Sequence, residues 1–492
     1  MDHQTYTGDG RDLGALRLSA DEMRSLGYRA VDLVVEHLEA LPTRSVGGPT
    51  PRGELEAVLR EPLPRKGSGW RAVLRQVEDD VLAAVRHLDH PRFFAQVPGP
   101  GNFVGAVADL VASGMNVFSG TWIEASGPAQ VELVVVDWLR EACRLPPSAG
   151  GLFVSGGSHA NLTGLALARH AVLGGPDPNA VVCCSDQAHS SVPRALGVLG
   201  LGAGQIRAVR SDELGRLTVG PLVDELDRAA GEGGRPFCVV ATAGTTNTGA
   251  VDPLRDVARV CADRGLWLHI DGAYGAAAAI TSRGRELLAG MELADSLALD
   301  PHKWLFQPYE AGCLLVRDPA LLRDAFRVTP EYLRDVAAGP EEVNFCDYGL
   351  QLTRRFNALK LWMSLKVFGA DAFAEAVERG LARAEEAEWL LSSSPRWEVV
   401  TRAQLAIVTF RYVPEAGQWS ADELDRLQRR IAGRLNADGL ATIATTTFGD
   451  RSVLRLCTIN PATTGDDVAR TLDALERFGT EEAGRALGHG TD

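Results

Sequence analysis

Six short apolar runs recur between residues 151 and 316, and helical or polar stretches separate them. They cover residues 151–154, 181–184, 237–242, 266–270, 296–299 and 313–316. Near-continuous apolar strands that alternate with helices are typical of a mainly parallel sheet covered on both faces. In such sheets, ligands gather at the carboxyl ends of the strands. The sequence therefore predicts an α/β domain whose functional residues follow these runs.

The segment Asp300-Pro301-His302-Lys303-Trp304 lies between the last two runs. A lysine at this place either reaches water from an edge strand or works as an amine. Desolvation lowers the pKa of an ammonium group, and a neutral amine condenses with an aldehyde to a Schiff base, the chemistry that anchors pyridoxal phosphate (PLP). The second interpretation requires a carboxylate for the pyridine nitrogen, a phosphate cradle and a flat group for the ring face.

Candidates for the phosphate cradle and the ring face follow the first two runs. Gly156-Gly157-Ser158 ends a strand and opens a helix, where close backbone approach and free N–H groups favour a phosphate. A plain turn with Ser158 as N-cap is the alternative. His189 follows the second run and either stacks on a ring or is satisfied by hydrogen bonds in its loop.

The carboxylate candidate is Asp271, which ends the run at residues 266–270. An unpaired carboxylate at a buried strand end is costly, so Asp271 needs a cationic or hydrogen-bonding partner. A protonated pyridine nitrogen is such a partner, and a helix N-cap or a salt bridge is the alternative. The small and hydroxyl residues at 241–246 suit either the edge of a cofactor or a turn.

Composition limits the possible partners and location. With a net charge of −14 and a pI near 5.3, the surface would repel nucleic acid and anionic membranes. The N-terminus lacks a signal sequence, and no window reaches the roughly 18 apolar residues of a membrane span, so we expect a cytoplasmic protein. The eight cysteines form no CxxC pair or Cys/His cluster, so no metal site is expected.

The 492 residues divide into three predicted parts, namely a helical arm (1–95), a large domain (96–369) and a small α+β domain (370–492). Two capping-box patterns, at Ser19 and Ser420, predict helix starts in the arm and in the small domain. A second arm helix is expected at residues 73–88. Strands are expected at residues 405–413 and 452–459.

Together these segments resemble the group II PLP-dependent amino-acid decarboxylases, most closely the aromatic-L-amino-acid decarboxylases. The likeness runs from about Asp21 to about Asp467, and its most specific motifs are residues 186–192, 269–274 and 300–304. The resemblance implies a PLP-dependent transferase-like large domain of fold type I, with a mainly parallel sheet of the seven-stranded type. It also implies a homodimer with its active site at the subunit interface.

The same resemblance implies roles for individual residues. Lys303 is similar to the Schiff-base lysine, Asp271 to the partner of the pyridine nitrogen, and His189 to the imidazole stacked on the ring. The remaining cofactor-binding positions are Gly157, Ser158 and His302 near the phosphate, Thr246 and Ala273 around the ring, and Asp300 in the lysine motif. Tyr332 matches the mobile-loop tyrosine that reaches the neighbouring subunit and favours protonation at Cα, although a solvent-facing loop tyrosine is the alternative.

Two positions depart from the family pattern. Asp300 stands where the closest relatives usually have asparagine, which adds negative charge near a phosphate. Residues 96–99 (Gln-Val-Pro-Gly) replace the more aromatic Tyr-Phe-Pro-Thr of the animal enzymes, so the substrate pocket is reshaped. Phe94, Pro98 and Trp122 are candidates to line a space for a flat ring, with ordinary core packing as the alternative.

The expected activity is decarboxylation of an aromatic L-amino acid to its amine and carbon dioxide. Three alternatives remain open from the sequence: an aldehyde synthase, a decarboxylase of non-aromatic amino acids, and a PLP-binding scaffold without turnover. The presence of both Tyr332 and His189 favours the amine, because related aldehyde synthases carry another residue at one of these places.

Overall fold

The computed structural model describes residues 16–328, 339 and 341–488, beginning with three arm helices. These are α1 (Ala20–Ala40), α2 (Arg52–Leu59) and α3 (Trp70–Gln76). The capping box that opens α1 is confirmed, because the Ser19 backbone N–H donates to Glu22 Oε2 at 2.9 Å and the Glu22 N–H donates to Ser19 Oγ. The prediction of one regular helix at 73–88 was wrong. After α3 the chain continues as a π-helical turn (Val77–Val81) and a 3₁₀ turn (Leu82–Ala84).

A seven-stranded sheet forms the centre of the molecule. Its strands are β1 (Gly150–Val154), β2 (Ala180–Ser185), β3 (Ile206–Val209), β4 (Arg235–Thr242), β5 (Trp267–Asp271), β6 (Ser296–Leu299) and β7 (Gly312–Val316). The strand order is β1-β7-β6-β5-β4-β2-β3, and only the β1–β7 and β6–β7 pairs are antiparallel. The mainly parallel sheet and its six predicted strands are confirmed, while β3 was missed.

Helices cover both faces of this sheet. They are α4 (Phe103–Gly114), α5 (Trp122–Ala142), α6 (Gly157–Leu173), α7 (Ser191–Val198), α8 (Val219–Gly231), α9 (Leu254–Arg264), α10 (Ser282–Leu287), α11 (Ala320–Phe326) and α12 (Ala358–Phe368). Successive strand residues point to opposite faces. Val239 and Val240 of β4 accordingly belong to two different apolar clusters, one on each face.

A second, antiparallel sheet lies in the C-terminal part of the chain. Its order is β10-β11-β9-β8, from β8 (Trp397–Gln404), β9 (Ile407–Tyr412), β10 (Ala444–Phe448) and β11 (Arg451–Cys457). Three helices accompany it, α13 (Ala370–Ser392), α14 (Ala421–Asp438) and α15 (Gly465–Gly488). Both predicted strands and the Ser420 capping box are confirmed. The domain boundaries at residues 95 and 369 stay predictions.

A buried ion pair fixes the end of the sheet nearest the predicted phosphate loop. Arg354 Nη2 lies 2.6 Å from Glu132 Oε1, and these side chains are 3% and 0% exposed. Glu132 also accepts the N–H of Phe153, and Arg354 donates to the carbonyl of the same residue. The pair therefore ties α5 to β1 immediately before the loop at 155–158. None of the described helices is long and apolar enough to cross a bilayer.

Candidate active site

A cavity of about 420 Å³ lies at the carboxyl ends of the parallel strands. Its lining contains all nine of the residues that the sequence predicted to hold the cofactor, namely Gly157, Ser158, His189, Thr246, Asp271, Ala273, Asp300, His302 and Lys303. Gln96 and Val97, from the segment that joins the arm to the large domain, complete one wall. The cavity thus brings together residues that end or follow five strands, namely β1, β2, β4, β5 and β6. Gln96 and Val97 precede β1 in the chain.

Lys303 is fixed by Asp300 three residues earlier. Its Nζ lies 2.9 Å from Asp300 Oδ2, and its backbone N–H donates to the Asp300 carbonyl at 3.0 Å. Burial acts to lower the pKa of Lys303, but the charge and hydrogen bond of Asp300, together with the charge of Asp271, outweigh it and raise that pKa. Burial alone would favour the neutral amine expected from the sequence, but with Asp300 in contact the net effect favours the ammonium form of Lys303.

Asp271 is held as an acceptor at the bottom of the cavity. Its Oδ1 accepts the N–H of Ala273 at 3.1 Å, and its Oδ2 accepts from Asn161 Nδ2 at 3.0 Å. The residue is 4% exposed. These two contacts fix the orientation of the Asp271 side chain, which lines the cavity and could pair there with a cationic group.

Asn161 connects Asp271 to two histidines, His269 and His189. These contacts determine which ring nitrogen of each histidine carries the hydrogen. Its Oδ1 can only accept, so His269 Nε2, at 3.0 Å, carries the hydrogen. Burial lowers the pKa of His269 and keeps it neutral, so its Nδ1 accepts from Ser296 Oγ at 2.8 Å. Trp267 Nε1 donates to the same Ser296 oxygen.

The other branch of the network leads to His189. Asn161 Nδ2 donates to Ser191 Oγ at 2.9 Å, which leaves the Ser191 hydroxyl free to donate to His189 Nδ1 at 2.8 Å. The Ser191 backbone N–H also points at His189 Nδ1. Partial burial lowers the pKa of His189, so the ring is neutral with its hydrogen on Nε2. The roles of Asn161, His269 and Ser191 were missed from the sequence, because their contacts exist only after folding.

The phosphate side of the cavity depends on two glycines. A Cβ atom on Gly157 would lie 2.8 Å from Asp300 Oδ2 and 2.9 Å from the Cβ of Ala273, and one on Gly156 would lie 3.2 Å from His302 Cε1. Gly157 also begins α6, whose first N–H groups have no acceptor within the helix. A side chain at either glycine would crowd these neighbours, so the loop presents only bare backbone to the cavity. Bare backbone N–H groups suit a phosphate. Asp300 Oδ1 is buried without a hydrogen-bond partner among the described residues.

The predicted substrate-binding residues lie elsewhere. Phe94 is 0% exposed and packs in the core of the small sheet, with its backbone bonded to Thr442 and Cys457. Pro98 is buried. Trp122 is half-buried and packs against the apolar cluster that contains Val240 of β4. None of the three is in the cavity lining. Core packing, the alternative weighed from the sequence, describes Phe94.

Arg455 of β11 is not in the cavity lining but holds two residues that are, and the sequence reasoning missed it. It is 2% exposed, its Nε donates to the Thr246 carbonyl at 2.6 Å, and its Nη1 donates to the Gln96 carbonyl. Its Nη2 is buried without a partner in the described part of the chain. The available signal was a charged residue inside the apolar run at 452–459. Tyr332 lies outside the described residues.

Comparison with known proteins extends over nearly the whole chain. Residues 52–413 match the pyridoxal-dependent decarboxylase conserved domain. An aromatic-L-amino-acid decarboxylase of Bacillus atrophaeus is 45% identical over 95% of this chain and 97% of its own, and an L-2,4-diaminobutyrate decarboxylase of Rhizobium meliloti is 35% identical over 94% and 93%. The crystal structure of Oryza sativa TDC with PLP and tryptamine is similar at a TM-score of 0.90, with 30% identity over 94% of this chain and 99% of that one.

Proposed function

The chain belongs to the pyridoxal-dependent decarboxylase family, and we propose that it converts an aromatic L-amino acid into the corresponding amine and carbon dioxide. It is a PLP-dependent amino-acid decarboxylase. The observation that carries the proposal is the convergence of Lys303, Asp271 and His189 on one cavity, with Asp271 bonded as an anion. Bound PLP supplies an electron-poor ring that accepts the electron pair left when carbon dioxide departs.

The chain's own residues supply the remaining requirements. Lys303 provides the amine that would hold the aldehyde once its proton has passed to Asp300, whose Oδ2 lies 2.9 Å from Nζ. Asp271, held by Asn161 and the N–H of Ala273, keeps a proton on a ring nitrogen placed against it. His189 presents a neutral imidazole, which can cover a flat ring without adding charge.

Arg455 is the proposed holder of the substrate carboxylate. Its buried Nη2 lacks a partner among the described residues, and an unpaired donor of that kind is costly until an acceptor arrives. The same guanidinium fixes the backbone of Gln96 and Thr246, which both line the cavity. A carboxylate bound there would be desolvated, which favours its loss as neutral carbon dioxide.

Tyr332 is the proposed proton donor to Cα after decarboxylation. This role depends on the resemblance of the surrounding segment, in which a tyrosine at this place accompanies amine formation. Replacing Tyr332 with phenylalanine should therefore shift the product from amine toward aldehyde, measured by chromatography of both products together with peroxide release. Unchanged amine formation in Y332F would contradict the role.

The aromatic class is favoured over the diaminobutyrate class by the identity of the relatives, 45% against 35%. The test is to incubate PLP-loaded enzyme with tryptophan, tyrosine, phenylalanine, 3,4-dihydroxyphenylalanine and 2,4-diaminobutyrate and to quantify carbon dioxide and amine. We expect the highest kcat/KM with an aromatic substrate. A preference for 2,4-diaminobutyrate would overturn the substrate assignment but not the reaction.

The anchoring lysine is tested independently of the substrate. Borohydride reduction of the loaded enzyme followed by peptide mapping should place the pyridoxyl group on Lys303. The matched control is K360A, because Lys360 is also a buried lysine, 1% exposed, but is ion-paired with Asp109 away from the cavity. A label on Lys360, or no label on Lys303, would contradict the proposed site.

A homodimer is the proposed assembly. The helices α1, α2 and α3 contain no buried residue, and they expose large apolar side chains such as Met23, Tyr28 and Val58 at 56%, 69% and 52%. Exposed apolar surface on this scale is typical of a face that a partner covers. Light scattering should give twice the chain mass of 52.6 kDa, and a monomer at micromolar concentration would contradict the assembly.

The cytoplasm is the proposed location. All eight cysteines are free and buried, and thiols in this state are typical of proteins that work in a reducing compartment.

A further inference from the structure

Three potential metal ligands meet where the arm joins the rest of the molecule. His37 lies in the last turn of α1, while His87 and Asp89 lie in the segment that leads toward the cavity wall at Gln96. One ligand atom from each of these three residues lies within 4.8 Å of the other two. His37 Nε2 is 2.7 Å from Asp89 Oδ2, and the two imidazole rings are 5.0 Å apart. The cluster borders a cavity of about 730 Å³ between the arm and the body.

The hydrogen bond between His37 and Asp89 accounts for two members of the cluster, and His87 is the third. His87 is 9% exposed, and its ring lies against the ring of His37 at an angle of 54°. All three residues line the neighbouring cavity, so an ion could reach their ligand atoms from that side.

We propose that His37, His87 and Asp89 bind one divalent transition-metal ion of the zinc class. Two imidazoles and one carboxylate are ligands that Zn²⁺ accepts, with a fourth position open toward the neighbouring cavity. An ion about 2 Å from each ligand atom keeps those atoms within about 4 Å of one another, so small side-chain rotations are sufficient. The ion joins α1, which has no buried residue of its own, to the segment that ends in the cavity wall.

Arg44 provides a specific check on the geometry. Its Nη1 lies 3.4 Å from His37 Nδ1, and its side chain is exposed. When His37 coordinates through Nε2, its Nδ1 carries a hydrogen and can no longer accept from the guanidinium. Arg44 must then turn away, so its charge opposes the ion. Removing that charge should tighten binding about two- to fivefold, the range of a surface charge pair.

The experiment uses the full-length, PLP-loaded enzyme after treatment with a chelator and desalting. Co²⁺ alone is titrated and followed by its visible absorbance, and Zn²⁺ is then counted by mass spectrometry. We expect one ion per chain and a higher Tm in the presence of Zn²⁺. Because even the loss of an outer-shell partner costs about 10- to 100-fold in metal affinity, H87Q and D89N should each weaken binding by at least about tenfold.

Matched variants separate this site from adventitious binding. H170Q removes a half-buried histidine at the end of α6 that is not in the cluster, and it should bind Co²⁺ like the unaltered chain. R44Q should bind more tightly. H37Q changes a residue at a helix end and keeps the test valid if H87Q fails to fold. Absence of binding in the unaltered chain, or equal binding in H37Q and H170Q, would overturn the proposal.

Discussion

At the level of single residues, the hydrogen-bond network at the cavity depends on Asn161. This side chain donates to Asp271 and Ser191 and accepts from His269, so one amide serves both the carboxylate and the two histidines. Replacing Asn161 with leucine removes one hydrogen-bond partner from each of Asp271, Ser191 and His269. Because hydrogen bonds to charged groups contribute about 1.5–3 kcal/mol, we expect N161L to lower kcat at saturating PLP by at least about tenfold.

The control for N161L comes from the same helix. Thr163 is fully buried and its hydroxyl has no partner among the described residues, so T163V removes a polar atom without breaking a contact. Steady-state kinetics and the pH profile of kcat should be unchanged in T163V. Equal losses of kcat in the two variants would mean that the effect of N161L comes from repacking of α6 and not from the network.

The carboxylate of Asp300 has a kinetic consequence. Asp300 is 1% exposed and raises the pKa of Lys303, so the lysine must lose a proton before it can act as an amine. We expect D300N to lower that pKa and to combine with PLP faster at neutral pH, with a smaller dependence of the rate on pH. The measurement is stopped-flow recombination of apoenzyme with PLP, with D295N as a control, since Asp295 is not in the cavity lining. Slower recombination in D300N would contradict this account.

At the level of elements, the position of α6 on the sheet depends on Gly164. A Cβ atom there would lie 2.7 Å from His269 Cε1 and 2.8 Å from His269 Nδ1. G164A should therefore push α6 from the sheet and lower the free energy of unfolding by about 1–3 kcal/mol, the usual cost of overpacking. It should also weaken PLP retention, because the displaced ring is the one that orients Asn161.

Alanine at Gly433 in α14 is expected to be neutral or stabilising, in contrast to alanine at Gly164. A Cβ atom there would have no neighbour within 4 Å, and alanine inside a helix is better than glycine by about 0.5–1 kcal/mol. Urea denaturation should consequently show G433A as neutral or more stable. If G164A matched G433A, the close approach of α6 to His269 would not be important for stability.

Elements were predictable where an apolar run reported a buried strand. The strand β6 was predicted with its observed bounds, because all four of its residues are buried. The strand β3 was missed because it is an edge strand without a continuous apolar run: Arg207 is half-buried in an ion pair with Glu232. The arm helix at 73–88 was predicted as regular because periodicity shows which residues are apolar, not where the hydrogen-bond pattern changes from α to π.

The same reasoning applies to the site. That residues at or beyond strand ends, such as Asp271 and Lys303, meet in one cavity could be predicted, because the carboxyl ends of parallel strands lie at the same edge of the sheet. Their roles there stay predictions. The contact of Asn161 with Asp271 spans 110 positions, and that of Arg455 with Thr246 spans 209. No local pattern reports such contacts. Phe94 illustrates the opposite error. It is close in sequence to Gln96 of the cavity wall, but its side chain packs into the core of the small sheet.

At the level of the whole molecule, buried histidines make stability depend on pH. Burial lowers the pKa of His90 and His269 to about 4 in the folded chain, from about 6.5 when unfolded. The unfolded chain therefore binds more protons between these values. The stability that these neutral histidines contribute to the folded chain is fully present above pH 6.5 and is lost as the pH falls toward 4. Burial also lowers the pKa of His159 and His302, which adds in the same direction.

Two carboxyls oppose this trend. Burial raises the pKa of Asp252 to about 7, so the folded chain keeps a proton that the unfolded chain loses above its ordinary value of 3.8. The stability that this proton contributes is present at low pH and declines as the pH rises through 7. Burial also raises the pKa of Asp295, which acts in the same direction. With several histidines against two aspartates, we expect the free energy of unfolding to fall on acidification from pH 6.5 to 4.5, by on the order of 1 kcal/mol per pH unit.

Urea denaturation at half-unit steps of pH measures this slope, and D252N tests its composition. Asp252 accepts the N–H groups of Leu217 and Thr242 at 2.7 Å each, so the variant should be less stable at every pH. Because it removes one of the two opposing groups, its stability should also decline more steeply on acidification than that of the unaltered chain. A stability that is flat between pH 6.5 and 4.5, or a shallower slope in D252N, would show that the buried histidines do not control the acid limit of the fold.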